Sequence, residues 1–499
     1  MVTTFLAPTS ADLPLTAAAG DTDLRPLFHF TPQSNWINDP NGLVYYAGEY
    51  HLFYQYHPYS LVWGPMYWGH AVSRDLVSWE HLPTALAPDE LGMIFSGSAV
   101  IDWHNTAGFG PATMVAMFTQ FDAGQQVQSL AFSTDRGRSW TKYAGNPVIA
   151  QPAEQKDFRD PKVFWHGDQS DGHWVMLLAV GQEIWFYTSP DLKTWAKSGE
   201  FGAGFGANGG VWETPDLFQL PVDGNPDDTH WVLIVAVQDQ APAGGSGVQY
   251  FVGDFDGGTF IPGESPEVVR WADYGGDFYA AQSWSDAPNG RRTWLAWMNN
   301  WSYGAEIPAT TWRGAMTVPR DLALASDGDS VVLVQQPVAE VAKLRGVGHH
   351  WSQSEVQPGV QLLEHIRGAT LEVQATFAVD QATTARSFGL RVRAGADEAT
   401  VIGYDAEQQA LFVDRSSAGH KATGTAGPQI VPLQPRTGEI VLRLLIDHSS
   451  VEVFADGGRV VLTNQVFPAP TSTDLELFAE AGSVKLKQLS VYPLHRQHV

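Results

Sequence analysis

The chain of 499 residues contains no cysteine. Disulfide bonds, thiolate nucleophiles and zinc sites built on cysteine are therefore excluded. Positive charge is scarce too, because 29 Lys and Arg stand against 54 Asp and Glu and give a formal net charge of −25. Such a surface disfavours nucleic acids and anionic membranes as partners. We therefore expect a ligand that is neutral or cationic.

Long apolar runs are also missing. The apolar run at residues 174–180 is far shorter than the roughly 18 residues of a membrane-spanning helix, so we expect a soluble protein. Residues 1–24 contain no Lys or Arg and no sustained apolar segment, and they lack the features of a secretion signal. We expect them to form a flexible arm at the start of a mature, secreted protein, and a cytoplasmic location is the alternative.

Helical periodicity is weak along the chain, which predicts an all-β protein. In residues 25–337, short apolar or alternating runs are separated by Gly, Asp, Asn and Pro, a pattern typical of strands and turns. Residues 338–349 are predicted to be a linker with one helical turn. Residues 350–499 alternate again and predict a β-sandwich with a supporting or subsite-shaping role. Two domains also agree with the length of the chain.

A short pattern, in which an Asp-containing loop ends on an aromatic residue, recurs about every 60 residues. A repeat of this length with several strands predicts a β-propeller, and about 310 residues accommodate five blades. Chance turns in a large sandwich are the alternative. The four copies, of which the last is weaker, are residues 73–79, 133–140, 189–195 and 253–260.

Three carboxylates stand on segments that are stiffened by proline or flanked by aromatic residues. Asp39 lies between an Asn and a Pro-Asn-Gly turn, which predicts a carboxylate on a stiff loop. Asp160 stands between Arg159 and a proline, and Glu213 lies between Trp212 and a Thr-Pro pair. The structural alternatives are a solvated turn for Asp39, an ion pair for Asp160 and a strand-end carboxylate for Glu213.

Glycosidic bond cleavage needs a carboxylate on one face of the sugar and a protonated carboxylic acid near the leaving oxygen. Asp39 suits the first role and Glu213 the second, because partial burial and a negative neighbour would raise the pKa of Glu213. Asp160, adjacent to Arg159, is expected to stay ionised and accept hydrogen bonds from sugar hydroxyls. The 19 Trp residues are consistent with sugar-binding platforms, although most Trp side chains fill cores.

Motifs along nearly the whole chain resemble glycoside hydrolase family 32, the β-fructofuranosidases that include invertases, exo-inulinases and levanases. The motifs follow the order of the family. They are residues 36–42, 53–58, 63–64, 68–71, 95–98, 158–161, 212–216, 277–282, 297–301 and, in the second domain, 449–454.

The resemblance implies a five-bladed β-propeller followed by a C-terminal β-sandwich, and a retaining mechanism. It implies that Asp39 is the nucleophile, Glu213 the acid/base and Asp160 the transition-state stabiliser. One departure is Thr214, since the family usually has Cys there, and this change bears on the hydrogen bonding and pKa of Glu213. The fructose-binding residues that the resemblance implies are Asn38, Gln55, Trp63, Phe95, Ser96, Arg159, Tyr279 and Trp301.

The predicted function is a retaining β-fructofuranosidase that releases or transfers terminal β-D-fructosyl units from sucrose or fructans. One alternative is an enzyme that mainly transfers fructosyl units to acceptor sugars. Another is a sugar-binding propeller without catalysis, which the presence of all three carboxylates disfavours. Loops at residues 103–110, 202–210 and 240–247 are expected to shape the acceptor side, and the sequence leaves the preferred substrate open.

No cofactor or metal is expected. The chain lacks a His-Glu-x-x-His motif, and the G-x-G-x-x-G match at residues 204–209 opens no predicted helix. The partner is a small sugar or oligosaccharide substrate. The oligomeric state is left open, and a monomer is compatible with the sequence.

Overall fold

The computed structural model describes residues 24–168, 170–420 and 427–496. Its regular structure is almost entirely β-strand, with short 3-10 helices at Pro288–Gly290, Ala339–Leu344 and Asp456–Gly458, which confirms the all-β prediction. The predicted arm, except for residue 24, lies outside the described residues. Within the described ranges, no helix has the length and apolar character needed to cross a membrane.

The first domain is built from mostly antiparallel sheets in which most consecutive strands pair. Its strands are β1 (Asn35–Tyr46), β2 (Glu49–His57), β3 (Tyr67–Ser73), β4 (Trp79–Leu86), β5 (Met93–Asp102), β6 (Thr113–Asp122), β7 (Gln125–Ser133), β8 (Thr141–Lys142), β9 (Arg159–His166), β10 (His173–Val180), β11 (Glu183–Ser189), β12 (Ala196–Phe201), β13 (Trp212–Val222), β14 (Asn225–Val237), β15 (Gly247–Phe255), β16 (Phe260–Pro262), β17 (Arg270–Trp271), β18 (Tyr279–Ser283), β19 (Thr293–Met298), β20 (Trp312–Arg313), β21 (Ala315–Met316), β22 (Arg320–Asp327) and β23 (Ser330–Pro337).

Strands β1 to β4 form one sheet, with β20 added beside β1, and β5 to β8 and β9 to β12 form two further sheets. A ten-stranded sheet joins β13 to β16 with β22, β19 and β18, and β17, β21 and β23 pair at its sides. The strands β1, β5, β9, β13 and β18 contact one another in a closed ring. This is the arrangement of a propeller, in which the first strand of each sheet lines the axis. Because two of the predicted blades share one sheet, the blade number of five stays a prediction.

The repeated Asp pattern marks the hairpin between the third and fourth strands of each sheet. Asp75 accepts the backbone N–H groups of residues 77 and 78, and Asp191 accepts those of residues 193 and 194. Asp135 accepts the N–H of Ser139, and Asp256, in the weaker copy, accepts those of residues 258 and 259. A carboxylate that caps its own loop fixes a tight turn, so the repeat has a structural role.

The second domain is a β-sandwich, as predicted. Its two six-stranded sheets have the orders β24-β35-β26-β31-β32-β33 and β25-β34-β27-β28-β29-β30, and they enclose a separate apolar core. We propose that residues 338–349 link the two domains. The strands are β24 (His349–Val356), β25 (Gly359–Arg367), β26 (Leu371–Ala378), β27 (Ser387–Ala394), β28 (Ala399–Asp405), β29 (Ala410–Ser417), β30 (Gln429–Pro432), β31 (Glu439–Asp447), β32 (Ser450–Ala455), β33 (Val460–Gln465), β34 (Asp474–Glu480) and β35 (Val484–Pro493).

A buried ionic network joins the two domains. The ring of His29, from the first domain, lies between Asp447 and Glu452 of the sandwich, at 2.8 and 2.7 Å. Arg320 of the first domain contacts both Glu452 and the neighbouring Asp273. Burial lowers the pKa of His29, but hydrogen bonds and the charges of Asp447 and Glu452 outweigh it and raise the pKa to about 9. The imidazolium therefore stabilises the junction at neutral pH.

We expect the thermal stability of the protein to fall between pH 7 and pH 10 through the loss of this proton. The stabilisation by protonated His29 is complete below about pH 6.5 and is lost as the pH rises through about 9. A rise in pKa from 6.5 to about 9 corresponds to a contribution on the order of 3 kcal/mol. The melting temperature should fall more steeply between pH 7 and pH 10 for the wild type than for His29→Gln. Parallel pH dependences would contradict this account.

Candidate active site

Eight of the eleven predicted site residues lie on the five strands that line the axis, at places where each strand carries a β-bulge, whereas Gln55 lies on β2 and Trp63 and Trp301 lie between strands. In each case two residues oppose one on the neighbouring strand, which bends the strand and re-aims its side chains. The paired residues are Asn38 and Asp39 opposite Gln55, Phe95 and Ser96 opposite Thr119, Asp160 and Pro161 opposite Leu178, Thr214 and Pro215 opposite Val235, and Ala280 and Ala281 opposite Ala296.

The segment that carries Asp39 is a bulged strand, so the predicted stiff loop is wrong. Residues 35–46 form β1, and two register shifts accommodate Pro40 and the left-handed Gly42, at φ 55°. Ser96 Oγ donates to Asp39 Oδ2 at 2.6 Å, and Asn38 Nδ2 donates to Oδ1 at 3.0 Å. Burial and the negative charge of Glu213 outweigh these bonds and raise the pKa of Asp39 to about 6.

Two side chains donate hydrogen bonds to Glu213, one a guanidinium and the other a hydroxyl. Arg159 Nε and Nη2 both donate to its Oε1, at 3.0 and 2.9 Å, and the Tyr279 hydroxyl donates to Oε2. Its side chain is 16% exposed, more open than that of Arg159 at 8%. The prediction for Glu213 rested only on burial and negative neighbours and did not include this guanidinium. The other face of the guanidinium is held by Asp157, at 2.5 Å.

Asp160 does not pair with its neighbour in sequence, because Arg159 points to Glu213 and Asp157. Its backbone has φ 63°, and its Oδ2 accepts the N–H of Thr214 at 2.9 Å. Burial raises its pKa, the charge of Arg159 opposes this, and the charges of Glu213 and Asp39 add to it, with a result of about 8. The expectation that Asp160 stays ionised is therefore wrong for the ligand-free protein, because burial beside two carboxyls outweighs one cation.

The structure brings the other predicted residues to the same place. Trp301 packs on Trp36 at 6.2 Å and on Tyr279 at 6.5 Å, and Trp36 in turn donates to Asn38. Gln55 is buried with its amide 3.1 Å from that of Asn41. Trp63 is 42% exposed and lies 5.9 Å from Phe95, so this pair forms a more open, aromatic edge of the site.

Four side chains that support the site received no role from the sequence. Thr119 Oγ1 accepts the N–H of Asp160 at 3.0 Å, and Asp157 clamps Arg159. Trp36 orients Asn38, and Asn41 lies beside Gln55. Trp36 and Asn41 lie within the motif of residues 36–42, and Asp157 stands two residues before Arg159, so their positions gave a signal that could have identified them.

Thr214 combines two unusual features. A β-branched residue at φ 43° is strained, and its buried Oγ1 has no hydrogen-bond partner. The strain directs its N–H to Asp160, while its C=O accepts from Gln282 at 2.9 Å. The backbone of Thr214, in the bulge after Glu213, thus connects the strand that carries Glu213 to Asp160.

One of the predicted acceptor-side loops lies elsewhere. Residues 103–110 follow the far end of β5, and Trp103 packs on Tyr46, at the end of β1 opposite to Asp39. The prediction for this loop is wrong, because strand length separates it from the carboxylates. The other two loops lie on the catalytic side, since Ala207 O accepts from Trp212 and Ser246 Oγ accepts the N–H of Trp301.

Two buried carboxyl groups, a third that is partly exposed and one guanidinium at the axis of a propeller are the arrangement expected of a glycosidase of the two-carboxylate kind. The model of the glycosyl hydrolases family 32 N-terminal domain matches residues 29–337, and that of the family 32 C-terminal domain matches residues 340–493. The chain belongs to glycosyl hydrolase family 32.

Known proteins are similar to this chain over almost its full length. A levanase of Bacillus subtilis (strain 168) is 52% identical over 485 residues, 95% of this chain and 71% of that protein. The crystal structure of exo-inulinase from Aspergillus awamori is 38% identical, with a TM-score of 0.89 over 95% of this chain and 99% of that one. A fructofuranosidase from Schwanniomyces occidentalis, complexed with fructose, is 31% identical, with a TM-score of 0.87 over 96% and 100% of the two chains.

We expect Asp160→Asn to raise the melting temperature at pH 8 to 9 by roughly 2 to 4 °C, the change typical of about 1 kcal/mol in a large domain. The raised pKa means that ionisation of Asp160 is disfavoured in the folded protein, so the cost to stability builds up as the pH rises from the ordinary pKa of 3.8 to about 8 and stays constant above it. Asn tolerates the left-handed backbone and can still accept the Thr214 N–H. As the pH falls to about 4 and below, where the folded and the unfolded protein both carry this proton, the difference in melting temperature between the variant and the wild type should disappear. A lower melting temperature at pH 8 to 9 would contradict the raised pKa.

Proposed function

We propose that the protein is a retaining β-fructofuranosidase that removes terminal β-D-fructosyl units from sucrose and fructans. The observation that carries the proposal is the cluster of Asp39, Asp160 and Glu213 around Arg159, in a chain of glycosyl hydrolase family 32. Two carboxyl groups about 5 to 5.5 Å apart are expected for retention of configuration. The levanase and exo-inulinases among the relatives support fructans, with sucrose, as the substrate class.

Asp39 attacks the anomeric C2 of the terminal fructose, and the bond from C2 to the leaving oxygen breaks as Glu213 protonates that oxygen. The product of this step is a fructosyl-enzyme with an ester bond to Asp39. Glu213, now a carboxylate, takes a proton from water, which attacks C2 and releases fructose and free Asp39. Ser96 and Asn38 orient the attacking carboxylate through their hydrogen bonds to its two oxygens.

The proton that the first step needs is available in the ligand-free cluster. Burial, together with the charges of neighbouring carboxyl groups, raises the pKa values of Asp39 and Asp160, so that the cluster retains a proton near neutral pH. When fructose hydroxyls donate to Asp160, its carboxylate form is favoured. The cluster proton then resides on Glu213, where Arg159 and Tyr279 hold the carboxyl toward the leaving oxygen.

We infer an extracellular location. The support is that relatives from Aspergillus awamori and Aspergillus niger, 38 and 39% identical, are named extracellular exo-inulinases. The high negative charge is compatible with neutral sugars as substrates.

Glu213→Gln should lower kcat/KM on sucrose by roughly two to four orders of magnitude, the usual value of general acid catalysis. The loss should be much smaller on an aryl fructoside whose leaving group needs no proton. Initial rates on both substrates measure the difference. Equal losses on the two substrates would remove Glu213 from the acid role.

The dependence of kcat/KM on pH should be bell-shaped, with an acid limb near pH 6 and an alkaline limb near pH 8. Below about 6 Asp39 is protonated and cannot attack, and above about 8 the cluster loses its remaining proton. Rates on a soluble substrate from pH 4 to 10 give both limbs. An acid limb near 4, the ordinary range of a carboxyl group, would contradict the cluster electrostatics.

A further inference from the structure

A buried arginine of the β-sandwich reaches into the catalytic domain. Arg415, on β29, donates from Nη1 to Asp277 Oδ2 at 2.6 Å and from Nη2 to the Tyr303 hydroxyl at 2.7 Å. The same Nη1 donates to the backbone oxygen of Gln465, at 2.8 Å, which fixes the guanidinium to its own domain. Asp277 is fully buried, and the Arg415 side chain is 7% exposed. The contact is therefore a dry charge pair across the domain boundary.

Both partners of Arg415 stand two residues from an active-site side chain. Asp277 precedes Tyr279, which donates to Glu213, and Tyr303 follows Trp301. The Tyr303 hydroxyl also donates to Asp277 Oδ1 at 2.7 Å, and Asn300 Nδ2 donates to the backbone oxygen of Gly276 at 2.7 Å. Hydrogen bonds thus hold residues 276–279 and 300–303 together, and Arg415 of the second domain donates to a side chain in each segment.

The packing leaves these segments little freedom. A Cβ atom added at Gly276 would lie 2.4 Å from Arg415 Nη2, so the guanidinium presses directly on the backbone. The N–H of Gln465, on β33, donates to Asp277 Oδ2 at 2.8 Å, and the N–H of Asp277 donates to the oxygen of Thr463. The sandwich therefore fixes the position of the chain just before β18, which begins at Tyr279.

We propose that Arg415 is a positioning residue for the fructosidase reaction, which acts through Asp277 and Tyr303 to place Tyr279 against Glu213 and Trp301 beside it. The β-sandwich then contributes to catalysis as well as to stability. This inference rests on the proposed function, because its readout is the rate of fructoside hydrolysis.

The test is a double-mutant cycle between Arg415→Met and Tyr279→Phe, with sucrose as the substrate and at a temperature well below the melting point of every variant. Arg415→Met should lower kcat by about 10- to 100-fold, the size expected for a misplacement near 1 Å, with a smaller change in KM. In the Tyr279→Phe background the same substitution should change kcat by only about twofold, because the two side chains act on one contact. The proposal would be overturned if the kcat losses of the two single variants multiply in the double variant, or if kcat is unchanged in Arg415→Met.

Arg345→Met is the matched control. It removes a bidentate partner of Glu372, a fully buried carboxylate of the sandwich, in a region that contacts Tyr492 and the linker instead of the site. Its kcat should stay within about twofold of the wild type. A loss in this variant equal to that of Arg415→Met would show a general effect of destabilising the sandwich, and it would overturn the positioning role.

Tyr303→Phe keeps the proposal testable if Arg415→Met fails to fold. It removes one hydroxyl that bridges Arg415 and Asp277, and kcat should fall by about 3- to 10-fold, again without multiplying the loss of Tyr279→Phe. An unchanged kcat in Tyr303→Phe would contradict the proposal. If the wild type hydrolyses neither sucrose, inulin nor levan, the proposed function fails, which is a separate outcome.

Discussion

The guanidinium of Arg159 is the interaction on which the site depends. It lies between Asp157 and Glu213 and beside Asp160, whose ionised form is disfavoured by burial. Without it, three carboxyl groups would face one another with repulsion as their main interaction. With it, Glu213 keeps a fixed orientation, and its charge lowers the pKa of Asp160, although burial and the neighbouring carboxyl groups still leave the pKa values of Asp39 and Asp160 raised. The cluster can therefore hold a proton near neutral pH, and ligand hydroxyls can decide which carboxyl group carries it.

The backbone brings these side chains together through the same feature, a β-bulge, on each strand. Each strand at the axis carries a bulge where it reaches the site, and the bulges turn consecutive side chains toward the centre. Close backbone contact fixes some of these positions, since a Cβ at Gly97 would lie 2.0 Å from the oxygen of Met117. Thr214 shows the cost of such a bulge, because it holds a strained backbone and a buried hydroxyl without a partner. The strain is retained where it connects Glu213 to Asp160.

Sequence patterns predicted the strands, the repeated Asp hairpins, the sandwich and the residues of the site. These features depend on local periodicity and on short motifs, which are present in the chain itself. The stiff loop at Asp39 and the acceptor-side role of residues 103–110 were wrong, because a bulge or the end of a strand is set by pairing between distant segments. The partner of Arg159 was missed for the same reason: Glu213 is 54 residues away, and adjacency in sequence pointed to Asp160. The contact of Arg415 with Asp277 spans 138 residues and has no sequence signature.

We propose that Asp39 becomes covalently bonded to fructose during turnover. The most direct test of this proposal is rapid acid quenching of the enzyme during sucrose hydrolysis, followed by digestion and mass spectrometry of the peptides. If Asp39 is the nucleophile, one fructosyl group should be found on the peptide that contains residues 36–42, localised to Asp39 by fragmentation. A fructosyl group on another carboxyl residue, or fructose released with inverted configuration and no adduct, would contradict the proposal.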